Sequence, residues 1–160
     1  MKKFELTAEF VTNVFGKKLF RIKALVAFGS VEKGELGGFI EKEDNLSHEG
    51  NAWVSGNAWV SGNARVSGNA RVFDNALVSG NADYAVVEGF GRCFRATTFF
   101  RCKDKILRVR CGCFYGDLAQ FREIVKETHG DSKYAKEYLA IADLMELHFS
   151  DEEGIQEVTE

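Results

Sequence analysis

Between residues 50 and 86 the chain repeats a pattern of six. Asn-Ala pairs start at positions 51, 57, 63, 69, 75 and 81, and the segment reads GNAWVS, GNAWVS, GNARVS, GNARVF, DNALVS, GNADYA. In an extended backbone, residues two and four apart point to the same side. Each valine (Val54, Val60, Val66, Val72, Val78) therefore shares a face with the alanine four positions on (Ala58, Ala64, Ala70, Ala76, Ala82). The Gly-Asn steps supply corners, because glycine enters positive φ freely and asparagine more readily than most residues. The pattern predicts short strands joined by tight corners, wound so that valine and alanine line a narrow apolar axis.

The flanks follow other periods. Phe4 to Phe10 and Leu19 to Phe28 alternate well enough for two strands joined across an Asn13 to Lys18 turn, a β-cap before the repeat. After the repeat, Phe94 to Cys102 and Ile106 to Phe114 are β-rich runs separated by the polar Lys103-Asp104-Lys105, which reads as a hairpin. Asp117 followed three residues later by Gln120 makes a capping-box pattern. Leu118, Phe121 and Val125 follow at helical spacing, and Gly130 marks the stop. A second helix is predicted from Lys133 to Phe149, with Tyr134, Tyr138, Ala142, Met145 and Phe149 along one stripe. The acidic end, DEEGIQEVTE, reads as a frayed tail.

Strand, corner and strand with one large and one small inward residue describe a β-solenoid. The hexads of residues 51–86 resemble the hexapeptide-repeat left-handed β-helix family. The resemblance implies a left-handed coil of three hexads per turn and a homotrimer. It also implies stacking of every eighteenth residue, so that Trp53 lies under Arg71, Trp59 under Leu77 and Arg65 under Asp83. The lead-in LGGFIEKEDNLSHEGNAWV and the later CGCFYGDLAQF are similar to segments of small hexapeptide-repeat proteins encoded by phages and prophages. The expected fold is α+β: a short left-handed β-helix (β-solenoid) with an N-terminal β-cap, a C-terminal β-hairpin and two C-terminal helices. A single domain is expected. Its parts are a cap and lead-in coil (1–50), the repeat (51–86), an Arg-rich hairpin (87–116), a helical pair (117–149) and an acidic tail (150–160). Six hexads make only two coils, fewer than a continuous solenoid core needs, so caps or subunit partners must complete it.

Composition narrows the picture. A chain of 160 residues with 45% hydrophobic content suits one domain. A net charge of −3 excludes a polybasic nucleic-acid binder, so any anion binding must be local. No apolar stretch is long enough to span a bilayer, and MKKFELTAEF lacks the apolar run of a signal peptide. A cytoplasmic location is expected, the host bacterial cytoplasm in view of the phage resemblance. In that reducing compartment Cys93, Cys102, Cys111 and Cys113 are expected as free thiols rather than a disulfide framework. They lack the usual CxxC knuckle spacing, so no metal is expected. Neither GxxxxGK[ST] nor GxGxxG occurs, and no cofactor is predicted.

Charge position carries the clearest chemical signal. From Phe90 to Arg110, seven basic residues face one acid, Asp104, a local charge of +6 that leaves −9 for the rest. Guanidinium forks suit phosphate or carboxylate, and the interleaved Phe94, Phe99 and Phe100 suit a ring. Arg92, Arg95, Arg101, Arg108 and Arg110, with Phe99 as a stacking surface and Trp53 and Arg71 from the repeat, form the candidate ligand-binding set. The plain alternative pairs those arginines with residues 117–160, which hold twelve acids against four bases. The function expected is a non-enzymatic oligomeric protein that captures a small anionic ligand; in the phage context, it would sequester a host nucleotide immune signal. An acyltransferase using His48 as general base and a protein-interaction module are the alternatives. Nucleic acid fits less well, because the basic segment is short.

Overall fold

The computed structural model describes residues 2–150, so the expected acidic tail lies outside the described residues apart from Ser150. Strand β1 (Phe4–Thr12) runs antiparallel to β2 (Lys18–Ala24). Their turn forms because the Asn13 side-chain oxygen accepts from the Phe15 and Lys17 amides at 2.9 and 3.0 Å, with Gly16 at φ +77°. Strand β3 (Leu36–Ile40) continues the sheet antiparallel to β2 and then turns into the repeat. Gly37 and Gly38 are required there. A Cβ on Gly37 would lie 2.5 Å from the Val54 carbonyl oxygen, and one on Gly38 2.7 Å from that of Ala58.

The repeat contributes four two-residue strands, β4 (Trp53–Val54), β5 (Trp59–Val60), β6 (Arg71–Val72) and β7 (Leu77–Val78). Their pairing is parallel with an eighteen-residue step: Trp53 opposes Arg71, and Trp59 opposes Leu77. Val54, Val60, Val66, Val72 and Val78 are fully buried, together with Ala52, Ala58, Ala70 and Ala76, whereas Ala82 is exposed. Corners at Gly50, Gly56, Gly62 and Gly68 all have φ between +63° and +69°, and Asp74 occupies the same left-handed region at +59° where the hexad has lost its glycine.

The expected left-handed β-helix is nevertheless corrected. The strands order as a mixed five-stranded sheet (β1-β2-β3-β5-β7), a two-stranded parallel sheet (β4-β6) and a separate four-stranded antiparallel sheet. On the third side of the repeat the pairing shrinks to one bridge, Leu46 with Val66. Two turns of two-residue strands cannot sustain ladders on three faces, so no closed or curled solenoid forms and the architecture is a mixed α+β fold. The core is completed by other elements, with Phe4, Ile22 and Ile40 on one side and Phe100 and Cys102 on the other. The stacking of Arg65 with Asp83 is also corrected, because Asp83 pairs instead with Arg101 at 3.1 Å.

The four-stranded sheet orders β11 (Phe114–Asp117), β10 (Leu107–Cys111), β9 (Thr97–Arg101) and β8 (Tyr84–Val87). The expected hairpin is present as β9 and β10, but the run assigned to its second strand breaks at Gly112 (φ +60°) and returns as β11. Both faces of this sheet are covered. Phe100 joins the repeat core, and its neighbour Phe99 joins a second core with Val109, Phe121, Val125 and Tyr138. Arg71 N–H donates to Thr98 Oγ1 at 2.9 Å and Lys103 N–H to the Asn75 carbonyl at 2.9 Å, which ties sheet to repeat.

Helix α1 (Leu118–His129) begins with both capping-box bonds: Gln120 N–H to Asp117 Oδ1 and Asp117 N–H to Gln120 Oε1, each 2.8 Å. Gly130 ends it at φ +57°. Helix α2 (Lys133–His148) starts at Ser132, whose Oγ accepts from Ala135 N–H at 3.3 Å. Tyr138, Ala142, Met145 and Phe149 are buried as the stripe predicts, and Tyr134 is half-buried. Among the described residues no helix is long and apolar enough to cross a membrane.

Candidate anion-binding cleft

Antiparallel pairing puts directly opposed residues on one face, so register decides where each arginine goes. Arg108 opposes Phe100 and Arg110 opposes Thr98, which places both on the repeat side of the sheet. Arg101 opposes Leu107 and lies on the helix side, its guanidinium 5.3 Å from the Phe149 ring centre and 3.1 Å from Asp83. The sequence grouping of Arg101 with Arg108 and Arg110 is thus corrected by the register. Arg108 is itself occupied, donating to both Asp104 oxygens at 2.9 Å. Each group holds the other in its charged form: Arg108 moves up and Asp104 down from their ordinary values, first through that hydrogen bond.

Arg71 on β6, Arg95 in the loop before β9 and Arg110 on β10 line one cleft of about 380 Å³ between the repeat and the four-stranded sheet. Among the described residues none of the three has an ion-pair partner. Arg110 rests 4.3 Å from the Phe73 ring centre, and its Nε–H donates to the Gly112 carbonyl at 3.2 Å. Burial, and secondarily the like charge of Arg71, pull its pKa below the ordinary guanidinium value. Arg71 donates through Nη2 to Ser30 Oγ. The pKa of Arg95 is raised above the ordinary guanidinium value, chiefly by the neighbouring Cys93 side chain.

Gly112 seats this arrangement. A Cβ there would lie 1.8 Å from Arg95 Nη1, so a larger residue would push that guanidinium out of its present position. The remaining walls are polar or aromatic. Asn51 and Asn69 occupy equivalent corners of successive repeat turns, and the Asn69 amide donates to Glu88 at 3.1 Å. Phe94 sits at the rim, 68% exposed and at φ +53°. A bulky residue rarely takes that backbone region, and strain of this kind gathers at ligand clamps. Asn51, Asn69, Glu88 and Gly112 were not in the sequence-derived set, whereas Phe94 is one of the phenylalanines interleaved among the arginines. The eighteen-residue step could have paired the asparagines; Glu88 and Gly112 had no local signal.

Two sequence candidates are corrected outright. Phe99 is fully buried, 5.9 Å from the Phe121 ring centre, and has no face to offer a ligand. Trp53 is 2% exposed, packed edge-on to Phe28, and its indole N–H has no hydrogen-bond partner among the described residues. Arg92 is exposed and lines a different cavity, beneath the helices.

His48, the candidate general base, is stacked 4.2 Å from Phe4 with both nitrogens engaged. Its Nδ1 accepts from Lys3 N–H at 3.0 Å and its Nε2 lies 2.8 Å from Glu43 Oε1. Lys3 N–H fixes the tautomer, so Nε2 carries the proton toward the carboxylate and no lone pair faces an open cavity. All four cysteines are free thiols, and among the described residues no group of three His, Cys, Asp or Glu side chains is placed to hold a metal ion. No protein-family model matches the chain and no curated protein matches it, so the likeness to hexapeptide-repeat and phage proteins gains no family assignment.

Proposed function

We propose that the protein is a binding protein that captures a small phosphorylated, ring-bearing ligand in the cleft formed by Arg71, Arg95 and Arg110. One observation carries the reading: three arginines without ion-pair partners among the described residues line a single cleft of ligand size. Forked N–H donors match phosphate oxygens, and the cost of holding the like charges of Arg71 and Arg110 close together is returned when an anion binds between them. Phe94 at the rim offers a ring face, while the Asn51 and Asn69 amides and the Glu88 carboxylate offer hydrogen bonds to the edge of a heterocycle. Capture needs no general base, in keeping with an occupied His48.

Calorimetric titration with nucleoside monophosphates, diphosphates and cyclic nucleotides tests it. Tight binding of at least one is expected, weakened about tenfold or more in Arg71→Ala and in Arg110→Ala, the loss of one charge-assisted bond. Arg101→Ala and Arg108→Ala serve as controls that leave affinity unchanged. Binding that survives Arg71→Ala with Arg110→Ala, or no binding across the panel, would overturn the reading.

A further inference from the structure

A second cavity, of about 350 Å³, lies on the other face of the four-stranded sheet, beneath α1 and α2. Its chemistry differs from that of the anion cleft. Phe114, Phe121, Ile124 and Val125 form apolar walls, and Arg92 and Arg95 stand in its lining. Neither arginine has an ion-pair partner among the described residues. Glu137, on the same helix as Tyr138, is engaged by the Gly91 N–H at 3.1 Å. Ile124 is 38% exposed, unusual for an isoleucine on a helix that buries Phe121 and Val125. Tyr138 is held against the wall by donating to the Phe90 carbonyl at 3.3 Å; burial, and then Cys111, push its hydroxyl up to about 12, so it stays neutral.

We infer that this cavity binds a small carboxylic acid with an apolar body, its carboxylate on Arg92 and Arg95 and its hydrocarbon or aromatic part against Ile124, Val125 and Phe114. Apolar walls alone would accept any greasy molecule. Two guanidiniums at one side select an anion, and planar forks match a carboxylate. The space is at the lower end of what ligand pockets occupy, which selects a short acid over a long lipid. The site shares only Arg95 with the anion cleft.

The cavity contains its own reporters. Cys93 and Cys113 are exposed and line it, whereas Cys102 is buried in the repeat core. Alkylation of each thiol by the neutral reagent iodoacetamide would be followed by mass spectrometry, with and without octanoate. Octanoate at four times its dissociation constant should slow Cys93 and Cys113 alkylation about fivefold, in proportion to 1 + [L]/Kd. Octanol at the same concentration should protect much less. Arg92→Ala and Ile124→Asp, both at solvent-exposed positions, should each abolish the protection, and Arg71→Ala should leave it unchanged. Equal protection by octanol, no protection by octanoate, or protection that survives Arg92→Ala and Ile124→Asp would overturn the assignment. Because Arg71→Ala should weaken nucleotide binding and spare this site, failure of one reading is distinguishable from failure of the other.

Discussion

The two faces of the four-stranded sheet are built from one stretch of sequence and end up with opposite characters. Toward the helices, Phe99, Val109, Phe121 and Tyr138 pack into an apolar layer, and its strand arginine, Arg101, is neutralised by Asp83. Toward the repeat, Thr98, Arg110 and Arg71 meet a surface that is apolar at Phe100 and Phe73 but opens into a cationic cleft at its edge. The difference comes from alternation alone: a one-residue shift in register would exchange the two sets. Local charge density is therefore a poor guide to an anion site; the pairing partner of each strand residue decides whether its charge is cancelled or gathered.

The largest expected effect is on the helix side. Phe99→Ala removes a fully buried ring and should cost about 3–5 kcal/mol of stability in urea unfolding. Nucleotide affinity of the folded fraction should stay unchanged, which separates the helix layer from the cleft. A loss of affinity parallel to the loss of stability would merge the two faces into one unit.

Next comes the buried cation of the repeat side, which has no counterpart under the helices. Lys3 is 4% exposed, its ammonium donates to the Ala52 and Gly50 carbonyls at 2.7 and 3.4 Å, and it stands 4.6 Å from the Phe28 ring centre. Burial lowers its pKa from 10.5 to about 8. Between those values the native state has released a proton that the unfolded chain still holds, so Lys3 makes stability rise with pH across that window. The contribution reaches at most about 3 kcal/mol by pH 10.5 and is absent below pH 8. Other groups titrate there as well, so the wild-type curve minus that of Lys3→Met is the quantity to measure. A flat difference would contradict the assignment.

A smaller change sharpens the cleft itself. Gly112→Ala places a methyl where Arg95 Nη1 now sits and holds a left-handed backbone at φ +60°. It should cost about 1 kcal/mol of stability and weaken ligand binding more than that strain explains. Unchanged affinity would mean that Arg95 contributes nothing. The smallest effect is expected at Arg101→Ala: its half-exposed pair with Asp83 should be worth less than about 1 kcal/mol, and affinity should not move.

Much of the fold was legible in the sequence, for physical reasons that can be traced to particular residues. The buried valines follow from a period-two rule applied to a six-residue repeat, the Asp117 and Gln120 cap from reciprocal hydrogen bonding, and the α2 stripe from helical spacing. The closed solenoid was over-read, because a repeat signals its step without signalling whether enough turns exist to close three ladders. Strands β8 and β11 were missed: Tyr84–Val87 begins inside the last hexad, and Phe114–Asp117 runs into the helix cap. At the site, charge counting found Arg95 and Arg110 and stacking found Arg71. The pairing of β9 with β10 is tertiary information, so Arg101 could not be sorted from Arg110, while Arg108, on the same face as Arg110, is set apart by its bonds to Asp104. The seat at Gly112 depends on a side chain seventeen positions earlier, beyond any local pattern.

The account rests on Arg71, Arg95 and Arg110 acting together on one anion. Its most direct test is to follow the arginine Nε–Hε resonances by NMR while titrating inorganic pyrophosphate. The prediction is saturable shifts at Arg71, Arg95 and Arg110 with one shared midpoint, and no shift at Arg101 or Arg108. Shifts centred on Arg101 and Arg108, or separate midpoints for the three, would contradict it.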